Sequence, residues 1–111
     1  MGQIKRVYEL DVYKLTEELS DRVWHDFDTC SKKVQNTTGY QIIRSSDSLT
    51  SNIAEEYGRY TPADRKKFYL YSRGSFEETK AWLRKLIRRS VLSESSATEY
   101  KAIVNGYKYN S

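Results

Sequence analysis

The 111-residue chain has one cysteine, one proline and one histidine, and each scarcity closes off a class of protein. Cys30 alone builds no disulfide framework. His25 and Cys30 do not supply the cluster of Cys, His and acidic ligands that zinc requires. Arg22 stands three residues before His25, so the Glu-x-x-His pairs of diiron bundles are missing. No metal and no cofactor are therefore expected. The five glycines are scattered and form no phosphate-cradling loop, and neither a nucleophile elbow nor a Cys–His pattern occurs. No apolar run reaches the roughly 18 residues of a membrane span. No apolar signal segment follows Met1 either, so a cytoplasmic protein away from membranes is expected.

Aromatics are plentiful by contrast. Ten Tyr, three Phe and two Trp are too many for a solvated coil. Mean hydropathy is nevertheless low at −0.81, with 38% apolar residues. Narrow apolar stripes on helices, or a core completed by other subunits, would reconcile the two. The length fits one domain, residues 1–111.

Apolar spacing predicts four helices and no strands. Leu15, Leu19, Val23, Phe27 and Cys30 share one face of a helix over 11–31. Ile42, Ser46, Leu49, Ile53 and Tyr57 do so over 40–58. Gly58 is a plausible terminator there, since glycine tolerates a left-handed end. Thr61-Pro62-Ala63-Asp64 is a strong start: threonine caps, proline at the first position loses no hydrogen bond, and Asp64 can reach back. The third helix covers 62–89, with Phe68, Ser72, Ser75, Thr79, Leu83 and Leu86 as its stripe. A weaker pattern over 94–109 uses Ala97, Tyr100, Val104 and Tyr107. Four helices with short connections predict an all-α, antiparallel up-down four-helix bundle.

Two features of the third helix call for explanation. Phe68-Tyr69-Leu70-Tyr71 is apolar nearly all round, which marks burial on more than one side. Phe68, Tyr69, Tyr71 and Trp82 are accordingly expected at a subunit interface. Gly74, in mid-helix, costs roughly 1 kcal/mol relative to alanine, and close helix approach near Ser72, Ser75 and Ala54 would compensate.

The charge is uneven. Net charge is +4, yet residues 1–61 hold 8 Lys/Arg against 10 Asp/Glu. Residues 62–89 hold 9 Lys/Arg against 3 Asp/Glu. One helix thus carries all the net positive charge. The carboxylate pairs Glu55-Glu56 and Glu77-Glu78 split between helix faces, and Glu55/Arg59 and Arg73/Glu77 have ion-pair spacing. They read as structural, not as acid–base machinery. The candidate cations are Arg65, Lys66, Lys67, Arg84, Lys85, Arg88 and Arg89, and the run from Lys80 to Arg89 exceeds what the helix dipole needs at that end. Beside tyrosines and tryptophans they suit phosphates and unpaired bases. An acidic protein partner is the alternative.

Several blocks carry a family resemblance. Gln41-Ile-Ile-Arg44, Ser51-Asn52-Ile53-Ala54-Glu55, Gly58-Arg59, Phe68, and Arg73-Gly74-Ser75 with Glu78 resemble the small bacterial proteins encoded in intervening sequences of large-subunit rRNA genes. Leu10-x-Val12-Tyr13 resembles that family's entry to helix one. The resemblance spans about residues 9–109 and makes Asn52, Glu55, Gly58, Arg59, Arg73, Gly74, Ser75 and Glu78 the fold's signature. It implies a four-helix bundle, commonly a homopentamer around a channel, with no established enzymatic activity. The architecture is also similar to accessory proteins of diversity-generating retroelements, basic pentamers that bind a reverse transcriptase and nucleic acid. The expectation is a non-enzymatic, ring-shaped homo-oligomer that binds RNA or other nucleic acid. A scaffold docking a reverse transcriptase, another polymerase or a ribosome-associated protein is the alternative.

Overall fold

Side chains repeating every three or four residues wind most of the chain into helix. A computed structural model describes residues 6–107. A short 3-10 turn at Val7–Glu9 leads into α1 (Asp11–Asp26), one-turn α2 (Lys32–Gln35), α3 (Thr38–Tyr57), α4 (Pro62–Arg88) and α5 (Glu94–Gly106). The fold is all-α, with four long helices and no strand among the described residues. None of these helices is long and apolar enough to cross a membrane.

The boundaries follow local chemistry. α4 starts as its sequence dictates: Thr61 is extended, its Oγ1 accepts from the Asp64 amide at 3.1 Å, and Pro62 opens the helix. The return bond expected from the Asp64 side chain does not form. Ser93 caps α5 in the same way, accepting from the Ser96 amide at 3.2 Å. At the end of α4, Ser90 takes a left-handed φ of 57°. The Ser90 amide bonds to Ile87 and the Val91 amide to Leu86, closing the last turn without a glycine.

Three boundary expectations need correction. α1 stops at Asp26, not near residue 31, because Asp28, Thr29 and Ser31 favour local bonds over helix. Ser31 instead caps α2, inside what read as a plain polar connection. Phe27 is still buried, so its apolar spacing outlives the helix. Gly58 ends α3 at φ −83°, with no left-handed turn. The glycine that matters sterically is Gly39, where a Cβ would lie 2.7 Å from the Val34 carbonyl oxygen. Residues 108 and 109, assigned to the last helix from sequence, lie outside the described residues.

The core collects Leu19, Val23 and Phe27 from α1; Ile42, Leu49 and Ile53 from α3; Phe76, Leu83 and Leu86 from α4; and Tyr100, Ile103 and Tyr107 around α5. Phe76, absent from the predicted stripe, is buried, with its ring 4.3 Å from that of Tyr107. Phe68, which was in the stripe, is only half-buried. Of the last predicted stripe, Val104 is half-buried and Ile103 takes its place in the core.

The interior is not wholly apolar. Thr16, Ser20, Ser45, Ser46, Ser72 and Thr79 are buried beside the apolar residues. Each hydroxyl lies within hydrogen-bond distance of a backbone carbonyl one helical turn earlier, so it is buried without being orphaned. The α3–α4 seam is built largely from such residues. Ser45 and Thr79 hydroxyls lie 2.9 Å apart, and Ser48 and Ser75 hydroxyls 3.0 Å apart. As α3 advances from 45 to 48, its partner retreats from 79 to 75, so these two helices run antiparallel.

Candidate nucleic-acid interface

The signature residues come first, because they fix the helix that carries the cations. Asn52 donates from Nδ2 to Ser48 Oγ at 3.1 Å, joining the Ser48–Ser75 contact. Glu78 accepts from the Arg44 guanidinium across the seam and from Trp82 Nε1 at 3.1 Å on its own helix. Glu55 holds Arg59 at 2.6 Å, and the Arg59 guanidinium lies 4.5 Å over the Phe68 ring. These contacts brace the α3–α4 hairpin and its joint.

Two signature residues behave otherwise. Glu77 pairs with Lys80 at 2.9 Å, and Arg73 has no ion pair among the described residues. Gly74 is exposed, and a Cβ there would meet nothing within 4 Å. The close helix approach expected at Gly74 therefore does not occur within the protomer.

All seven candidate cations are exposed, and none forms an ion pair among the described residues. They fall into two clusters on one rod. Lys66 and Lys85 are about 28 Å apart along α4 at 1.5 Å per residue. At the first cluster, Arg65 and Lys66 line a shallow cleft of about 560 Å³ with Glu56, Tyr57 and Tyr69. Lys67 lies apart from it, with Nζ 5.8 Å from the Phe68 ring and 5.9 Å from the Tyr71 ring. Burial pushes the Glu56 carboxyl above its usual range.

At the second cluster the side chains divide between two hollows. Arg84 and Arg88 flank a groove of about 270 Å³ between α4 and α5, floored by Leu83, Ile87, Tyr100 and Val104. Lys85, Arg88 and Arg89 line another of about 260 Å³. Arg88 belongs to both. Lys85 Nζ sits 5.5 Å over the Trp82 ring. The negative end of the α4 dipole favours cations at this end.

The expected interface aromatics are spread. Tyr71 is 49% exposed, beside Leu70 at 51%. Phe68, Tyr69 and Trp82 are half-buried within the protomer. Phe68 meets Tyr71 edge-on at 5.6 Å.

Sequence reasoning missed Lys101, which comes from α5 to the rim of the α4–α5 groove. No spacing on α4 signals it, because tertiary packing alone brings it there. α5 is anchored nearby: Tyr100 donates to Asp26 Oδ2 at 2.7 Å, and Arg22 pairs with Asp26 and Glu99. Burial, then the bond to Asp26, pushes the Tyr100 hydroxyl far above its ordinary value. No three His, Cys, Asp or Glu side chains gather as a metal site among the described residues.

The hairpin brace and the cationic rod belong to a sequence pattern that extends well beyond them. Residues 8–108 match the profile described as 23S rRNA-intervening sequence protein. The chain belongs to that family. The match takes in all four long helices, the signature contacts and both cation clusters of this 23S rRNA-intervening sequence family member. No curated protein matches the chain.

Proposed function

We propose that this protein is a non-enzymatic, cytoplasmic RNA-binding bundle, of up-down topology, that works as a ring-shaped homo-oligomer of five copies. Phosphates bind Arg65, Lys66, Lys67, Arg84, Lys85, Arg88 and Arg89. One observation carries this reading. The seven cations are exposed and form no ion pair among the described residues, whereas Glu77 and Glu78 on the same helix are each engaged by another cation. A helix whose two mid-helix acids are engaged while these cations stay open presents a polycation to its surroundings. Repetition around a symmetry axis would multiply that field. The exposed Leu70, Tyr71 and Gly74 support a face covered by another copy.

The α4–α5 groove supports a second reading. Its apolar floor between Arg84, Arg88 and Lys101 also suits an acidic amphipathic helix of a protein partner, such as a reverse transcriptase or a ribosome-associated protein. Fluorescence anisotropy with labelled RNA over a salt series, together with light scattering for mass, tests the first reading. Salt-dependent binding by an oligomer is the expected result. Absence of salt-dependent RNA binding removes the RNA reading, and a monomeric mass removes the ring.

A further inference from the structure

Tyr60 is 95% exposed, the most exposed of the large hydrophobic side chains. Among the described residues its ring makes no aromatic, cation or hydrogen-bond contact. Packing therefore does not account for it. The link that carries it, however, is pinned on both sides. Before it, Arg59 is held by Glu55 and by the Phe68 ring. After it, Thr61 caps α4 and Pro62 fixes the first helical turn. A flat ring is thus presented to solvent from a fixed base.

Its surroundings match one kind of ligand. The cleft at the same end of the hairpin puts Tyr57 and Tyr69 with Arg65 and Lys66. Aromatic faces interleaved with cations bind single-stranded nucleic acid, the bases stacking and the backbone following the charges. A duplex keeps its bases stacked inside and offers only phosphates and groove edges. Glu56, the one acid lining the cleft, repels phosphate and directs the backbone to the Arg65–Lys66 rim.

We infer that the α3–α4 end is a platform for unpaired nucleobases, with Tyr60 as the stacking ring and Arg65 and Lys66 as phosphate holders, and that it selects single-stranded over duplex RNA. The inference rests on the RNA reading above and narrows it.

The test is anisotropy at fixed low salt with a labelled single strand, the same strand in duplex, and heparin as a polyanion without bases. Tyr60→Ala should weaken single-strand binding about 5- to 150-fold and leave duplex and heparin binding unchanged. Tyr60→Trp should restore it. Circular dichroism should be unchanged in both variants, because the ring is 95% exposed. If strand and duplex both bind with salt dependence but Tyr60→Ala alters neither, or weakens both equally, the platform is refuted and the phosphate reading stands. If wild-type protein binds neither, both readings fall together.

Discussion

Neutralising Arg84 and Arg88 gives a measurement that the geometry can size in advance. Each phosphate contact on a single strand contributes about −0.7 to the slope of log affinity against log salt. If each of the seven candidate cations meets one phosphate, the slope is about −5. Affinity should then fall about a thousandfold between about 50 and 200 mM salt. Arg84→Ala/Arg88→Ala removes two contacts and should make the slope shallower by about 1.4. Alanine is a strong helix former and both side chains are exposed, so folding should be preserved. Anisotropy over a salt series reads the slope directly. The control is Lys14→Ala/Lys33→Ala, which removes the same charge from exposed positions outside α4. An unchanged slope in the Arg84/Arg88 variant would refute phosphate contact there. An equal change in the control would show that only net charge matters. Because the two clusters lie about 28 Å apart, strands too short to bridge them should engage one cluster and show the shallower slope even with wild-type protein.

Three further outcomes follow from particular contacts. Gly74→Ala should stabilise an isolated protomer by about 0.8–1 kcal/mol in urea unfolding, since its Cβ enters open space; a loss of both mass and stability would instead place another copy against that face. Ser45→Ala and Thr79→Val should each cost about 0.5–1.5 kcal/mol and couple by at least about 0.5 kcal/mol in a double-mutant cycle. Additive effects would show that their 2.9 Å contact ties nothing together. The raised Tyr100 value means the folded state resists ionisation, so this hydroxyl contributes stability below pH 10, its ordinary value, that drains as pH rises further. Tyr100→Phe should be less stable at neutral pH by about 1–2 kcal/mol, for loss of the bond to Asp26. It should also lack that alkaline component, as denaturant midpoints across the pH range would show.

Much of the local chemistry was legible within one or two helical turns, although the Asp64 return bond, the Arg73–Glu77 pair and a left-handed Gly58 did not form among the described residues. The Thr61-Pro62 start, the Glu55–Arg59 pair and the burial of Leu19, Val23, Ile42, Leu49 and Ile53 depend on residues three or four apart, which sequence spacing reports directly. Tyr57, placed on the same α3 stripe, is by contrast exposed, and Leu15 and Cys30 are half-buried. The same logic overextended α1, because Phe27 keeps helical spacing while Asp28, Thr29 and Ser31 end the helix. It placed Ser75 in the stripe and left out Phe76, whereas Ser75 meets Ser48 across the seam and Phe76 is buried against Tyr107.

By itself the sequence determined the helices, their main apolar stripes and the concentration of positive charge on α4, since propensity, periodicity and charge are properties of the local chain. Only the tertiary structure decided which side chains share a surface. It opened the space beside Gly74, brought Lys101 to the groove flanked by Arg84 and Arg88, and left Tyr60 exposed at the same end of the hairpin as the cleft lined by Arg65 and Lys66. Those outcomes depend on which helix lies against which, and packing between distant segments leaves no period in the sequence.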